Sequence, residues 1–388
     1  MKKSLIALAF GTLGLGIAEF AMMGILGSVA ENLGVSISDA GHLISAYALG
    51  VCVGAPALLL MRRYPLKRIL LLLATIIMAG NLCAAAAPGF WTLMLARFIS
   101  GLPHGAYFGV ASIVAQRLAG EGKGSQAVSI MIAGMTIATL FGVPLGTALS
   151  TQISWRLVFL LVGGWSIFTL YSLSRWIPPM ESLPDTGFKG QFRFLKSPAP
   201  WLIIGGTLLG NGGVYCWYSY INPLLTDVSG FSVDSLTWLM VVAGAGMVAG
   251  NLLGGRLADR FKPGLVAAVV QSCMVVTLLL IFFFASVPWL SVLLMVFGTA
   301  GLFGVGSPLQ YLIIRYSKGG EMLGAATIQI AFNTGNAVAA YCGGLILQAG
   351  FDYRYPALVG IPFAVAGATL LFILHGRYEE EVQKASDK

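Results

Sequence analysis

The sequence is short of charge. Only 10% of its 388 residues are Asp, Glu, Lys or Arg, whereas soluble domains average about 25%. Hydrophobic residues make up 57% of the chain. A surface that faces water on all sides needs more charge than this, so the composition excludes an ordinary soluble protein and indicates a chain that lies in lipid.

The sequence also lacks the signatures of nucleotide-driven and catalytic proteins. It contains no GxxxxGK[ST] phosphate loop, no HExxH zinc motif and no serine nucleophile elbow. Its five cysteines lie inside apolar segments, form no CxxC pair and have no histidine beside them at metal-ligand spacing. We therefore expect no enzymatic activity, no metal site and no cofactor.

The apolar runs are continuous and do not alternate with period two, which predicts transmembrane helices and excludes a barrel. About 20 apolar residues cross a bilayer core, and the chain is long enough for twelve such helices. They are predicted near residues 4–26, 41–61, 68–87, 90–117, 126–150, 156–177, 200–225, 235–257, 264–286, 288–314, 322–348 and 354–375.

The longest polar stretch is rich in proline and separates the sixth predicted helix from the seventh. It predicts an amino-terminal six-helix bundle (1–177), a cytoplasmic linker (178–199), a carboxy-terminal six-helix bundle (200–376) and a cytoplasmic tail (377–388). The two bundles also resemble each other, which predicts an internal duplication and a transporter-like body. Four residues of the first half recur 196 positions later: Gly34, Ser36, Gly50 and Gly54 as Gly230, Ser232, Gly246 and Gly250.

The net charge of +8 would suggest a nucleic acid partner for a soluble protein, but in a membrane chain the positions of the charges matter more. If the loops alternate between the two sides, all but three of the 23 Lys and Arg residues fall on one side; the exceptions are Arg97, Arg156 and Arg354. Basic loops stay in the cytoplasm, so we expect no nucleic acid partner and a membrane protein with both termini cytoplasmic.

One acidic residue, Glu19, lies well inside a predicted span. Counted from a helix end near Leu26, it lies about 10 Å below the outer surface, and Arg97 and Tyr47 reach a similar depth. A carboxylate in lipid needs a partner, and a rearrangement that separates Glu19 from Arg97 could switch it between its protonated and charged forms. His104 lies two helical turns beyond Arg97 and could relay protons.

Two simpler interpretations of these residues remain. Glu19 and Arg97 could form a permanent ion pair that only fixes the first helix to the fourth. His104 could be a hydrogen-bonded packing residue.

Polar and aromatic residues in the second half are candidates for contact with a solute. The seventh predicted helix carries more of them than lipid contact requires, and the tenth and eleventh carry buried amides. Such amides can also simply join helix to helix. With Tyr47, the candidates are Asn211, Tyr215, Tyr218, Gln310, Gln329 and Asn333.

Four motifs resemble those of the major facilitator superfamily over nearly the whole chain. RFISGLPHGAYFG (97–109) resembles the helix-four motif, whose arginine the family associates with proton coupling. GMTIATLFGVPLG (134–146) resembles the helix-five antiporter motif of exporters, with Gly142, Pro144 and Gly146 at its end. GTLGLGIAEFAMMGIL in the first helix resembles the drug and sugar efflux branch, and more narrowly its arabinose efflux permease subgroup.

The fourth motif is GRLADRFK (255–262), which the family uses as a latch on the inner side and which contains Arg256, Asp259 and Arg260. Its usual first-half copy is degenerate here, because GAPALLLMRRYPLKR from Gly54 contains no acidic residue. The basic residues of this loop could instead meet anionic lipid headgroups.

The resemblance implies the major facilitator fold: twelve helices in two pseudo-symmetric six-helix bundles with a cavity between them. It predicts a monomeric transporter of the bacterial inner membrane that exports a sugar or drug-like solute by alternating access, driven by the proton gradient. Glu19, Arg97 and His104 would couple protons, and Gly142, Pro144, Gly146, Arg256, Asp259 and Arg260 would gate. The alternatives are an uncoupled facilitator or a proton symporter for import, and, more remotely, a membrane receptor that binds solute without moving it.

Overall fold

The computed structural model describes residues 2–379, and within that range all side chains except those of Met23, Ile37, Ser38, Val143 and Thr151. Most of the predicted tail at 377–388 lies outside the described residues. Every regular element in the described range is a helix. The first nine α-helices are α1 (Lys2–Leu33), α2 (Ile37–Ala57), α3 (Leu66–Ala85), α4 (Phe90–Gly101), α5 (Pro103–Leu118), α6 (Gly124–Ile137), α7 (Val143–Gln152), α8 (Arg156–Trp176) and α9 (Gly187–Gly190).

The remaining helices belong to the second half of the sequence. They are α10 (Pro198–Tyr218), α11 (Ile221–Pro223), α12 (Leu236–Arg260), α13 (Pro263–Phe284), α14 (Pro288–Gly304), α15 (Gly306–Tyr316), α16 (Glu321–Gln348) and α17 (Tyr355–Leu374). Short 3-10 turns lie at Leu58–Met61, Arg193–Lys196 and Val233–Ser235, and π-helical turns at Ala138–Gly142, Leu224–Val228 and His375–Glu379.

Within residues 2–379, eleven helical stretches are long and apolar enough to cross a membrane. The seventh predicted span corresponds to α10, which is not among them. With 21 residues α10 is long enough, but it contains glycines, an asparagine, prolines, tyrosine and tryptophan in place of aliphatic residues. Most of its second half is buried, so these residues pack against protein.

The predicted boundaries differ from the structure where proline or a turn interrupts an apolar run. The fourth predicted helix divides at Leu102, because Pro103 has no N–H to continue the hydrogen-bond ladder. The fifth contains a π-helical turn at Ala138–Gly142, just before Pro144. The first helix continues to Leu33. Glu19 therefore lies farther from the carboxy-terminal end of this helix than the count from Leu26 gives.

The chain folds into two compact units, and each takes a short segment from the other half of the sequence. Unit 1 comprises Met1–Gly120, Ile130–Arg193 and Lys318–Ile330, and unit 2 comprises Glu121–Ser129, Phe194–Ser317 and Ala331–Lys388. One core of unit 1 packs α1, α2, α4 and α8 through Met22, Leu43, Leu93 and Phe159. In unit 2, Trp217, Met247, Leu278 and Met295 join α10, α12, α13 and α14.

The predicted internal duplication has a structural counterpart in each unit. A side chain at Gly54 of α2 would collide with the carbonyl of Leu102, and one at Gly250 of α12 would collide with the carbonyl of Ala300. In both units, therefore, the absence of a side chain lets two helix backbones touch. The turn before each of these helices contains a glycine with positive φ: Gly34 (65°) and Gly230 (77°).

Candidate functional site

Unit 1 contains a buried cluster of polar side chains, which we call the polar cluster: Glu19 on α1, Tyr47 on α2, Arg97 on α4 and His104 on α5. Tyr47, Arg97 and His104 are 2%, 0% and 1% exposed. The carboxylate side chain of Glu19 is 19% exposed. The common depth predicted for Glu19, Arg97 and Tyr47 therefore corresponds to a real proximity.

Close helix packing positions the cluster. A side chain at Gly101 would collide with the carbonyl oxygen of Tyr47, so glycine lets α2 lie directly on the end of α4. The break at Leu102 then starts α5 with Pro103, and His104 follows in its first turn. Gly101 and Pro103 thus bring the imidazole of His104 to Tyr47.

Three members of the cluster form a chain of polar atoms. Tyr47 Oη lies 2.9 Å from His104 Nδ1, within hydrogen-bond distance. On the other side of the ring, His104 Nε2 lies 3.8 Å from Glu19 Oε2. Phe108, one turn further along α5, stacks on the imidazole with ring centroids 5.1 Å apart. The imidazole is therefore held between a hydroxyl and a carboxyl.

Arg97 makes other contacts than expected. Its Nη1 donates a hydrogen bond to the carbonyl of Ala18 at 2.6 Å, and its Nε donates to the carbonyl of Leu43 at 3.4 Å. The guanidinium lies 4.4 Å from the centroid of the Tyr47 ring. Among the described residues, no ion pair joins Arg97 to Glu19, so this structure does not contain the permanent ion pair of the simpler interpretation. Backbone carbonyls and an aromatic face take up the guanidinium instead.

Three atoms of the polar cluster have no hydrogen-bond partner among the described residues: Glu19 Oε2, Arg97 Nη2 and His104 Nε2. Buried polar atoms of this kind are costly unless a further group serves them. They include a donor from Arg97, an acceptor from a charged Glu19, and a ring nitrogen that takes either role. The cluster is therefore suited to exchanging a proton and to contacting a polar ligand group.

A second set of candidate side chains, mostly aromatic, lies in unit 2 on α10 and α16. Tyr215 packs edge-on against Tyr218, with centroids 5.6 Å apart, and against Phe332, at 5.7 Å. Asn211, one turn before Tyr215, is 1% exposed, and its Nδ2 has no hydrogen-bond partner in the described range. Phe332 is not among the solute residues that the sequence indicates, although it directly precedes the candidate Asn333.

The other predicted solute residues lie on α15 and α16. Gln310 is buried on α15 in unit 2, and Asn333 lies on α16 in the same unit. Gln329 also lies on α16 but belongs to unit 1, where its Cβ faces Gly105 of α5. Gln310, Gln329 and Asn333 each make an interaction with other groups of the protein.

The predicted helix-five motif packs on the helix that carries Glu19. Gly142 faces Ile17, and a Cβ at Gly146 would lie 3.2 Å from the Cβ of Ala21. The π-helical turn at Ala138–Gly142 ends two residues before Pro144, which donates no backbone hydrogen bond. The motif therefore combines an irregular backbone with close packing on both sides of Glu19 along α1.

The predicted latch residue Asp259 binds a helix start within unit 2. Its two carboxylate oxygens accept hydrogen bonds from the backbone N–H groups of Ser125 and Gln126, both at 2.8 Å. These N–H groups belong to the first turn of α6, where they have no acceptor within the helix and where a negative charge is favourable. Arg256 and Arg260 are exposed, and the Arg260 guanidinium lies 5.5 Å from the Phe261 ring centroid.

The chain resembles known transporters over its whole length. The family model described as Major Facilitator Superfamily matches residues 8–328. The protein AraJ of Escherichia coli (strain K12), which is named as a transporter, is 45% identical over 388 residues, covering 100% of this chain and 98% of AraJ. The inner membrane transport protein YdhP of the same organism is 36% identical and covers 95% of this chain and 94% of its own.

A Helicobacter pylori (strain G27) protein named as a sugar efflux transporter is 27% identical, covering 96% of this chain and 93% of its own. The crystal structure of the Escherichia coli fucose:proton symporter FucP superimposes with a TM-score of 0.76 over 96% of this chain and 99% of FucP, at 14% identity. That structural likeness shows the fold.

These matches confirm the resemblance derived from the sequence motifs and the expectation that the chain is not an enzyme. The helical architecture agrees with the fold of FucP. A family match over most of the chain and a full-length relative at 45% identity together establish that this membrane transport protein belongs to the Major Facilitator Superfamily.

Proposed function

We propose that the chain exports a small polar organic solute across the inner membrane by alternating access, in exchange for protons. The observation that carries the proposal is the chain Tyr47–His104–Glu19, which connects a carboxyl in the apolar part of the protein to an imidazole. Both groups exchange protons readily, and both keep an atom free of hydrogen bonds. The energy source is the proton gradient, and no cofactor takes part.

Each cluster member has a distinct role in this proposal. Glu19 takes up and releases the proton, and His104 passes it along. When Tyr47 donates to Nδ1, the neutral imidazole has its own proton on Nε2, the atom that faces Glu19. Arg97 anchors α1 through the carbonyl of Ala18, the residue before Glu19, and so fixes where the carboxyl stands.

Coupling requires that the solute bind one protonation state of Glu19 better than the other. A solute hydroxyl can both donate and accept, so it can serve Arg97 Nη2 and Glu19 Oε2 alike. The aromatic group of Tyr215, Tyr218 and Phe332 offers apolar ring edges and faces for the C–H surface of a sugar or drug-like ring. The name of the Helicobacter pylori relative supports a sugar.

The direction of transport is proposed from the helix-five motif. In the family resemblance, this motif is a property of exporters. Here its glycines pack on α1 beside Ile17 and Ala21. A bend at Pro144 would therefore move α1, the helix that carries Glu19. The motif is thus coupled mechanically to the carboxyl.

We further propose that α10 is a twelfth membrane span, that both termini are cytoplasmic and that the protein works as a monomer. α10 has the length of a span, and its polar residues would face protein.

The test uses proteoliposomes that contain a pH-sensitive dye, with pentoses, nucleosides and amphenicols added in turn. We compare wild type with Glu19→Gln and with Glu31→Gln, which neutralises an exposed carboxylate on the same helix. One solute class should move protons with wild type and Glu31→Gln and fail to do so with Glu19→Gln. A Glu19→Gln variant that still accumulates solute against its gradient would contradict the proposal, and equilibration without proton movement in all three would indicate a facilitator.

A further inference from the structure

The segment between α2 and α3 has no acidic residue that corresponds to Asp259 of the second half. It nevertheless pairs with a carboxylate from another part of the chain. Arg62 Nε lies 2.9 Å from Asp185 Oδ1, and Arg63 Nε lies 2.6 Å from Asp185 Oδ2. Asp185 belongs to the linker between α8 and α10. One carboxylate from the linker therefore binds two guanidinium groups of the loop, each through its own oxygen.

The linker around Asp185 is packed against the protein. Leu183 is 8% exposed and Gln191 is 4% exposed, so apolar and polar side chains on both sides of Asp185 are buried. The Oδ1 atom of Asp185 also accepts a hydrogen bond from the N–H of Gly187 at 3.0 Å, which closes a tight turn. Arg63, the Gly187 amide and Arg62 together lower the pKa of the Asp185 carboxyl to about 2, so it is charged at neutral pH.

The same turn reaches the start of α16. Thr186 Oγ1 donates a hydrogen bond to the carbonyl of Gly319 at 2.6 Å, and Gln191 Nε2 donates to the same carbonyl at 3.2 Å. Gly319 has a positive φ of 81°, and its N–H is held by Glu321 Oε1 at 3.0 Å. The backbone carbonyl and N–H of Gly319, two residues before α16, are therefore both held, the carbonyl by the linker and the N–H by the first residue of the helix.

The first part of α16 packs closely on α5 in unit 1. A Cβ at Gly109 would lie 3.2 Å from the backbone nitrogen of Ala326, and one at Gly105 would lie 3.5 Å from the Cβ of Gln329. Contacts of this kind have no long side chains that adapt to a shift, so they form or break as a unit. Whatever holds the start of α16 in place also holds this packing.

We propose that linker residues 185–191 act as a clasp, which ties the α2–α3 loop to the start of α16 and so stabilises the packing of α16 on α5. The clasp replaces the acidic residue that this loop lacks. In unit 2, Asp259 at the end of α12 binds a helix start directly. In unit 1 the loop supplies only arginines, and the linker supplies the carboxylate and the contact with the helix start. This inference does not depend on what the protein transports.

Hydrogen exchange of the full-length protein, read by mass spectrometry, tests the clasp. Asp185→Asn removes the charged acceptor, and Thr186→Val removes the hydroxyl that binds Gly319 but keeps the carboxylate. Glu181→Gln is the matched control, since it neutralises an exposed carboxylate of the same linker. Amides at 319–330 should exchange on the order of fivefold faster in both test variants and at the wild-type rate in the control.

Peptides from α13 serve as the internal reference, because a misfolded variant would exchange faster there as well. The charge-swapped protein, Asp185→Arg with Arg62→Asp and Arg63→Asp, should return exchange at 319–330 towards the wild-type rate, which would show that the ion pair is the anchor. Wild-type exchange at 319–330 in both Asp185→Asn and Thr186→Val would overturn the proposal, since the linker would then hold nothing beyond itself.

Discussion

Arg97 shows how a buried charge can be accommodated without an opposite charge in contact. Its guanidinium donates to two main-chain carbonyls and lies over the Tyr47 ring, so α1, α2 and α4 meet at one side chain. A helix carbonyl carries only a partial charge, but it is fixed in place and needs no reorganisation. Glu19 thereby keeps an oxygen free of hydrogen bonds, as the proposed proton exchange requires.

Tyr47 is the residue on which the orientation of His104 depends. Tyr47→Phe keeps the ring beneath Arg97 and removes the hydroxyl that contacts Nδ1. Under the proposed mechanism, proton-coupled flux should fall about tenfold, the equivalent of one hydrogen bond of about 1.4 kcal/mol. The dye assay in proteoliposomes measures this rate.

Tyr107→Phe is the matched control for Tyr47→Phe. Tyr107 is also fully buried in unit 1, and its hydroxyl binds the carbonyl of Leu8, outside the polar cluster. Its flux should stay near the wild-type value. Equal losses in the two variants would mean that Tyr47 matters only for packing.

At the scale of single elements, glycine decides where helices touch. Along α1, the residues that meet α6, the π-helical turn and α7 follow a helical spacing: Ala9, Thr12, Gly16, Ile17 and Ala21. The partners on the other side include Gly134, Gly142 and Gly146. A stripe of mostly small residues on each helix replaces the interdigitated large side chains of a water-soluble core, because lipid provides no hydrophobic drive for helix association.

Gly134→Ala tests this packing. A Cβ at Gly134 would collide with the carbonyl oxygen of Ala9, so the helices must separate. We expect a loss of about 1–3 kcal/mol in the free energy of unfolding. Gly164→Ala in α8 is the control, because nothing lies within 4 Å of its Cβ position. Thermal unfolding in detergent should show a lower Tm for Gly134→Ala only; an equal Tm for both variants would contradict the contact.

At the scale of the whole molecule, the three basic residues that break the charge pattern are each engaged by the protein. Arg97 lies in the polar cluster. Arg156 donates to Asn32 at 2.8 Å and to the carbonyl of Ala87 at 3.1 Å. Arg354 pairs with Asp352 at 2.6 Å, which lowers the pKa of that carboxyl. The pattern that sets the proposed topology therefore rests on the remaining basic residues.

The proposed topology can be tested with reporter fusions. Green fluorescent protein fused after Lys388 should fluoresce, because it folds in the cytoplasm. Alkaline phosphatase fused after Gly350, in the loop between α16 and α17, should be active, because that loop would lie outside. Each reporter is also fused at the other position, where it should be inactive. Fluorescence after Gly350 with phosphatase activity after Lys388 would reverse the orientation of every helix, and activity of both reporters at one position would show mixed topology.

Much of the fold follows from the sequence by itself. A continuous apolar run in lipid must form its backbone hydrogen bonds within itself, and the helix is the structure that does so. The membrane class and the approximate spans were therefore predictable. The motifs around Arg97, Pro144 and Asp259 identified the family correctly. Glu19 could be singled out because a carboxyl inside an apolar run costs free energy whatever the fold.

Only the tertiary structure decided which partners these residues have. Apolar periodicity does not encode the π-helical turn before Pro144, the break at Leu102 or the continuation of α1 to Leu33. No spacing in the sequence indicates that Arg97 binds carbonyls, since every residue offers one, or that Asp185 meets Arg62, more than a hundred positions away. Composition determines the solvent in which a chain folds, whereas contacts between distant residues depend on how the helices pack against one another.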